Sequence, residues 1–193
     1  MGATWGGTGW DRGFTVAPDH FGNVYVGGLY LFNVDFDPGA GEDWHTAVDE
    51  EDAFLSKFHS NGDFEWARTW GGDSYNDHVC KLAVDDSGNI YCTGIFMSTV
   101  DFDPDPVGED IHSSVGYNDM YLSRFDPSGD FVWVRTWGDG GYEYAYGAAV
   151  DGYGNAYFAG TYTGTIDFDP GPGVDNHSSE YTFLCKVLPN GYW

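Results

Sequence analysis

The segment Val34-Asp35-Phe36-Asp37-Pro38 returns as Val100-Asp101-Phe102-Asp103-Pro104 and again as Ile166-Asp167-Phe168-Asp169-Pro170, at an interval of 66 residues both times. A constant period of that length makes the chain three copies of one supersecondary unit. Every other motif is therefore read by its place in the repeat.

Each copy reads as four short strands. The first covers Phe14 to Asp19, Cys80 to Asp85 and Tyr146 to Asp151, and ends in a turn marked by Gly22-Asn23, Gly88-Asn89 and Gly154-Asn155. Glycine and asparagine tolerate positive φ, so this is a tight hairpin turn. The second strand follows as Val24-Tyr25-Val26, Ile90-Tyr91-Cys92 and Ala156-Tyr157-Phe158, with Gly28, Gly94 and Gly160 placed where a neighbouring backbone comes close or the strand bends. A polar loop separates it from a third strand, which runs 53–58, 120–125 and 182–187. The fourth runs Phe64 to Trp70 and Phe131 to Trp137, after turns at Ser60-Asn61-Gly62-Asp63 and Pro127-Ser128-Gly129-Asp130. Strands of this length at this cadence, without helical periodicity, give an all-β chain. Four antiparallel strands per repeat describe the blades of a β-propeller, with repeats at about 4–68, 69–135 and 136–193.

The run Val84-Asp85-Asp86-Ser87-Gly88-Asn89-Ile90-Tyr91, the Asp-Phe-Asp-Pro element and the Trp-Gly-Gly turns at Trp5-Gly6-Gly7 and Trp70-Gly71-Gly72 resemble the bacterial SBBP-type β-propeller repeats. The resemblance covers nearly the whole chain and implies a propeller in a secreted or cell-surface protein. It implies no shared catalytic motif. The third repeat departs from it, with Gly138-Asp139 where the others have Gly-Gly.

The third repeat stops at Tyr192-Trp193, where its fourth strand begins, while Thr4-Trp5 matches Thr69-Trp70 near the end of that strand. The last blade is then completed by an N-terminal strand, residues 1–5. Three blades are too few to close, since propellers have about four to eight. Two chains give six, so the expected assembly is a two-fold homodimer in which each N-terminus completes its partner's last blade. An excised or engineered piece of a longer array is the alternative, and its bare sheet edges also favour self-association.

Composition narrows the partners. With 31 acidic residues against 7 basic ones the formal net charge is −24, which repels phosphate backbones and anionic lipid heads. Nucleic acid and membrane insertion are not expected; divalent cations are favoured. The cysteines, Cys80, Cys92 and Cys185, form no metal-type pair; Cys80 and Cys92 read as small core residues, with a cross-strand disulfide as the alternative.

The candidate metal site is the loop after the second strand, with Asp35, Asp37, Asp43 and His45; Asp101, Asp103, Asp110 and His112; and Asp167, Asp169, Asp175 and His177. Its carboxylates suit Ca²⁺, and its Asp-x-His element suits Zn²⁺. The competing reading has each Asp capping turn amides at a corner rigidified by proline, with no ion. Five of the seven basic residues occupy repeated positions: Lys57, Arg124 and Lys186 at one, Arg68 and Arg135 at another. Each is expected to form a structural ion pair with a recurring carboxylate. Trp66, Trp70, Trp133 and Trp137 recur at strand spacing and are expected to pack blade on blade. Trp10, Trp44, Tyr75 and Tyr142 fall in loops, where aromatic rings beside acids can stack sugars.

No nucleophile elbow, zinc-protease helix or phosphate loop is present. The first reading is a non-enzymatic, extracellular module for assembly and binding of protein or ligand. A propeller that binds or cleaves glycans is the second.

Overall fold

The computed structural model describes residues 2–48, 50–178 and 181–193, and among them there is no helix. The first unit contains β1 (Gly6–Gly7), β2 (Arg12–Pro18), β3 (Val24–Tyr30), β4 (Asn33–Asp35), β5 (Trp44–Thr46), β6 (Asp52–Phe58) and β7 (Phe64–Gly72). The second contains β8 (His78–Val84), β9 (Ile90–Phe96), β10 (Thr99–Asp101), β11 (Ile111–Ser113), β12 (Asp119–Phe125) and β13 (Phe131–Trp137). The third contains β14 (Tyr144–Val150), β15 (Ala156–Thr161), β16 (Thr165–Asp167), β17 (Asn176–Ser178) and β18 (Thr182–Val187).

Each unit is an antiparallel meander. The first pairs β2, β3, β6 and β7 in order, the second β8, β9, β12 and β13, and the third β14, β15 and β18. The four expected strands are therefore found in the first two units. Sequence reading missed a further hairpin in every unit, made by β4 and β5, β10 and β11, and β16 and β17. The loop assigned as purely polar lies inside that hairpin.

Local chemistry explains the shape of each strand. In the first turn of each unit Gly22, Gly88 and Gly154 have φ of 87°, 84° and 77°, the left-handed region that favours glycine. The paired asparagine works differently: its side-chain amide donates to the aspartate four residues earlier, at 2.8 Å for Asn23 and Asp19. A β-bulge then recurs at Phe14, Cys80 and Tyr146, the residues skipped in the pairing registers. Opposite each bulge stands Gly28, Gly94 or Gly160, where a Cβ would strike the carbonyl oxygen of Arg12, His78 or Tyr144. These glycines hold the close backbone approach read from the sequence.

The units also interlock. The Trp-Gly-Gly segments are extended rather than turned: Gly71 and Gly72, at the end of β7, pair with Asp101 and Val100 of the second unit. Gly6 and Gly7 pair with Asp35 and Val34 of the first unit in the same register. The innermost strands pack side by side, β2 against β8 and β8 against β14. One hydrophobic core joins units one and two through Leu55, Trp70, Leu82 and Phe125, and a second joins units two and three through Leu122, Trp137, Phe158 and Phe183. As the repeated tryptophans foretell, Trp70 lies 5.2 Å from Phe125 and Trp137 4.6 Å from Phe158, ring centre to ring centre. All three cysteines are free thiols, with Cys92 and Cys185 in the cores.

The N-terminal residues 2–5 form no strand with β18. They lie on the first unit, where Trp5 sits 5.1 Å from Phe58, as Trp70 sits on Phe125. Met1 lies outside the described residues. Among the described residues β18 pairs only with β15, so the third unit has an open edge.

Candidate functional site

The Asp-Phe-Asp-Pro corner is held by its own carboxylates. Asp35 Oδ1 accepts the backbone N–H groups of Asp37 and Asp43 at 3.1 and 2.9 Å. Asp101 does the same for Asp103 and Asp110, and Asp167 for Asp169 and Asp175. The second aspartate caps the next turn: Asp37 accepts from Gly39, Asp103 from Asp105 and Asp169 from Gly171. Among the described residues no three His, Cys, Asp or Glu side chains are grouped to hold a metal ion. The amide bonds to one oxygen of Asp35, Asp101 and Asp167, and of the aspartates that follow them, are those of the turn-capping reading.

The histidines form a recurring relay across the corner. His45 Nδ1 lies 2.9 Å from the Thr69 hydroxyl, while Nε2 faces the Asp43 carboxylate at 3.4 Å. His112 repeats this with Thr136 at 3.1 Å and Asp110 at 3.0 Å. His177 keeps Asp175 at 3.1 Å, but among the described residues no fourth strand brings it a threonine. Its side chain is 56% exposed, against 22% for His45 and 28% for His112. The relay is a joint between hairpin and outer strand, and the third unit holds half of it.

The repeated cations do not meet the aspartates expected for them. Lys57 pairs with Glu65 at 3.1 Å and also donates to the Pro127 carbonyl of the next unit. Arg124 donates to the Pro189 carbonyl, Arg68 to Gly129 and Arg135 to Gly191, each reaching the third-to-fourth-strand turn of the following unit. Aromatic faces take the remaining charge: Lys57, Arg124 and Lys186 stand 5.7, 5.9 and 5.6 Å from the ring centres of Tyr25, Tyr91 and Tyr157. Arg68 and Arg135 lie over Trp66 and Trp133. Among the described residues Lys57 forms an ion pair, but with Glu65, which does not recur; Arg68, Arg124 and Arg135 meet carbonyls and rings, and Lys186 a ring. Carbonyls leave no mark in a sequence, but the tyrosines recur every 66 residues and offered a signal.

One set of working residues was missed altogether. Asp11, Asp77 and Glu143 share a repeat position and clamp the incoming Trp-Gly-Gly segment. Asp11 accepts from the Gly7 and Leu31 amides, and Asp77 from Gly72 and Met97. Glu143 accepts from Asp139. Burial pushes the Asp77 carboxyl up to about 8 and that of Glu143 up to about 7, against the opposing pull of these amide bonds. Asp139, the departure from Gly-Gly, uses its own carboxylate to take the Thr165 amide at 2.7 Å.

The loop aromatics are engaged separately. Trp10 lies beside the Arg12 guanidinium, Tyr75 donates to Glu50, and Tyr142 stacks on Tyr117 with 6° between the rings. Trp44 stands exposed on β5. The structure gives these four no common platform.

The feature that distinguishes one unit from the others is the open face of the third. Leu184 on β18 is 75% exposed, whereas its counterparts Leu55 and Leu122 are fully buried. On the opposite end of the molecule Val16 of β2 is 61% exposed, while Leu82 at the same place in β8 is buried. Beside Leu184 a groove of about 450 Å³, lined by Tyr162, Phe168, His177 and Phe183, follows the course the outer strand takes in the other units.

No protein-family model matches the chain, so the likeness to SBBP-type repeats rests on the residues that carry it. The chain is similar to an uncharacterized WD repeat-containing protein of Acanthamoeba polyphaga mimivirus, 24% identical over 94% of this chain. It spans 15% of that protein's length.

Proposed function

We propose that the chain is a non-enzymatic interaction module of the β-propeller type, whose three units are blades of half a ring and which closes into six blades by pairing with a second copy. The similarity to a WD repeat-containing protein supports the propeller reading, as do the three innermost strands standing side by side. The carrying observation is the contrast between Leu184 and its buried counterparts, because two junctions of the same design already bury this leucine. Burying one such side chain is worth about 1.5–3 kcal/mol. The resemblance to SBBP-type repeats supports an extracellular setting for such a ring, with its loop face as the place where a protein or other ligand docks.

Catalysis has no support in the relay geometry. The Asp-His-Thr contacts occur once per complete unit, as corner joints, rather than at one solitary site. Sedimentation equilibrium tests the reading. A mass of twice 21.3 kDa is expected, whereas 21.3 kDa at every concentration overturns closure.

A further inference from the structure

We infer that the open edge of β18 is completed by residues Gly2–Trp5 of a second copy in one register, with Thr4 opposite Phe183 and its hydroxyl on His177 Nδ1. This names the contact that closes the proposed ring and rests on that reading. Thr69 lies opposite Phe54 and meets His45; Thr136 lies opposite Tyr121 and meets His112. Phe183 occupies the same position in the third unit, and Thr4-Trp5 repeats the Thr-Trp pair.

The occupant follows from where residues 2–5 already sit. Gly2, Ala3 and Thr4 form a groove with Asp37, Pro38 and Gly62 on the first unit. Ala67, Arg68 and Thr69 form the matching groove with Asp103, Pro104 and Gly129 on the second. The segment thus lies on the first unit as an outer strand lies on the unit after it, with its sheet-pairing side unused among the described residues. A second copy's β18 is the edge that fits it, because edge strands carry unpaired N–H and C=O groups. The same arrangement brings Lys186 to the Ser60 carbonyl of the other copy, as Lys57 reaches Pro127 and Arg124 reaches Pro189.

One residue departs from the pattern. Ala3 stands where Arg68 and Arg135 donate to Gly129 and Gly191, so the junction between copies lacks the guanidinium clamp of the internal ones. Ala3→Arg, with Gly62 of its own chain as acceptor, fixes the segment before pairing and lowers the dimer dissociation constant about tenfold, a gain of roughly 1.4 kcal/mol.

The register is read by a cross-link. Ser56 faces Ala67 and Ser123 faces Val134, so Cys185 faces Gly2 of the other copy. Opposed antiparallel residues are about 4.5–5.5 Å apart between Cα atoms, within the span of a disulfide. Gly2→Cys in the full chain, treated with oxidised glutathione, is expected to give a covalent dimer with a 2–185 linkage seen by peptide mass spectrometry. That linkage disappears when Cys185→Ser is added. A chain that stays at 21.3 kDa overturns the ring and this inference together. A dimer without the 2–185 linkage, or a linkage within one chain, overturns the register alone. A ladder of longer cross-linked species supports the register and overturns closure at two copies.

Discussion

The second and third units are built from the same repeat, yet among the described residues one sheet has four strands and the other three. In the second, β8 is flanked by β2 and β14, β12 is covered by β13, and Leu122 is fully buried. In the third, among the described residues, β18 has one neighbouring strand and Leu184 is 75% exposed. The sequences of the two strands, Met120-Tyr121-Leu122-Ser123-Arg124-Phe125 and Thr182-Phe183-Leu184-Cys185-Lys186-Val187, ask for the same surroundings. The difference therefore lies in the neighbours, and it teaches that a unit of this kind is stabilised mostly by what sits beside it.

The largest expected effect breaks that comparison at its centre. Leu122→Ala leaves a cavity in a closed junction and lowers stability by about 3 kcal/mol, whereas Leu184→Ala in dilute chain changes it by less than about 0.5 kcal/mol. Denaturant titration measures both. At concentrations where copies associate, Leu184→Ala acquires a cost approaching that of Leu122→Ala, and equal small effects at all concentrations would contradict the account.

The cation clamps sharpen the comparison next. Arg135→Ala removes the bond to Gly191 and the stack on Trp133, and is expected to cost about 2 kcal/mol. Lys186→Ala, where the cation faces the Tyr157 ring, is expected to cost about 0.5 kcal/mol. Thermal melts of the two variants rank them, and a larger loss for Lys186 would reverse the argument.

Acidity acts on the closed junctions. Burial raises the Asp77 and Glu143 carboxyls to about 8 and about 7, above their ordinary 3.8 and 4.5, so these two groups hold more protons folded than unfolded, and above the ordinary 6.5 of buried His78 nothing from that ring opposes them. Their contribution to stability falls as pH rises toward about 7 for Glu143 and about 8 for Asp77, by at most about 1.4 kcal/mol per pH unit for each group. A higher melting temperature at pH 6 than at pH 8 is expected. Asp77→Asn flattens the slope, and a melting temperature that climbs over this interval would refute the assignment.

The smallest effect concerns salt. Two copies that each carry −24 repel one another, and raising salt from 0.05 to 0.5 M shortens the reach of that repulsion. Association is expected to tighten by a few-fold, as read by light scattering, and weakening with salt would point to ion pairs at the junction instead.

The repeat made much of the fold legible. The spacing of Val-Asp-Phe-Asp-Pro marked out the units, and the glycines at 28, 94 and 160 marked the close approach at the bulges. The small hairpins were hidden because strands of three residues, such as Asn33–Asp35, are too short to show alternation. Site chemistry was harder to read. Asp35 reads in sequence both as a metal ligand and as a turn cap, and its bonds to the amides of Asp37 and Asp43 are of the second kind. Arg68 and Arg135 looked like ion-pair partners because backbone carbonyls on a neighbouring unit are invisible in a string of residues. Glu143 escaped notice because it replaces aspartate at the position of Asp11 and Asp77.

Hydrogen exchange along β18, followed as chain concentration is raised, tests most directly whether its edge is an unfinished interface. The outward-facing amides among Thr182–Val187 are expected to exchange freely in dilute solution and to reach the protection of β12 when copies associate. Amides that stay unprotected at every concentration, while β12 remains protected, would contradict the account.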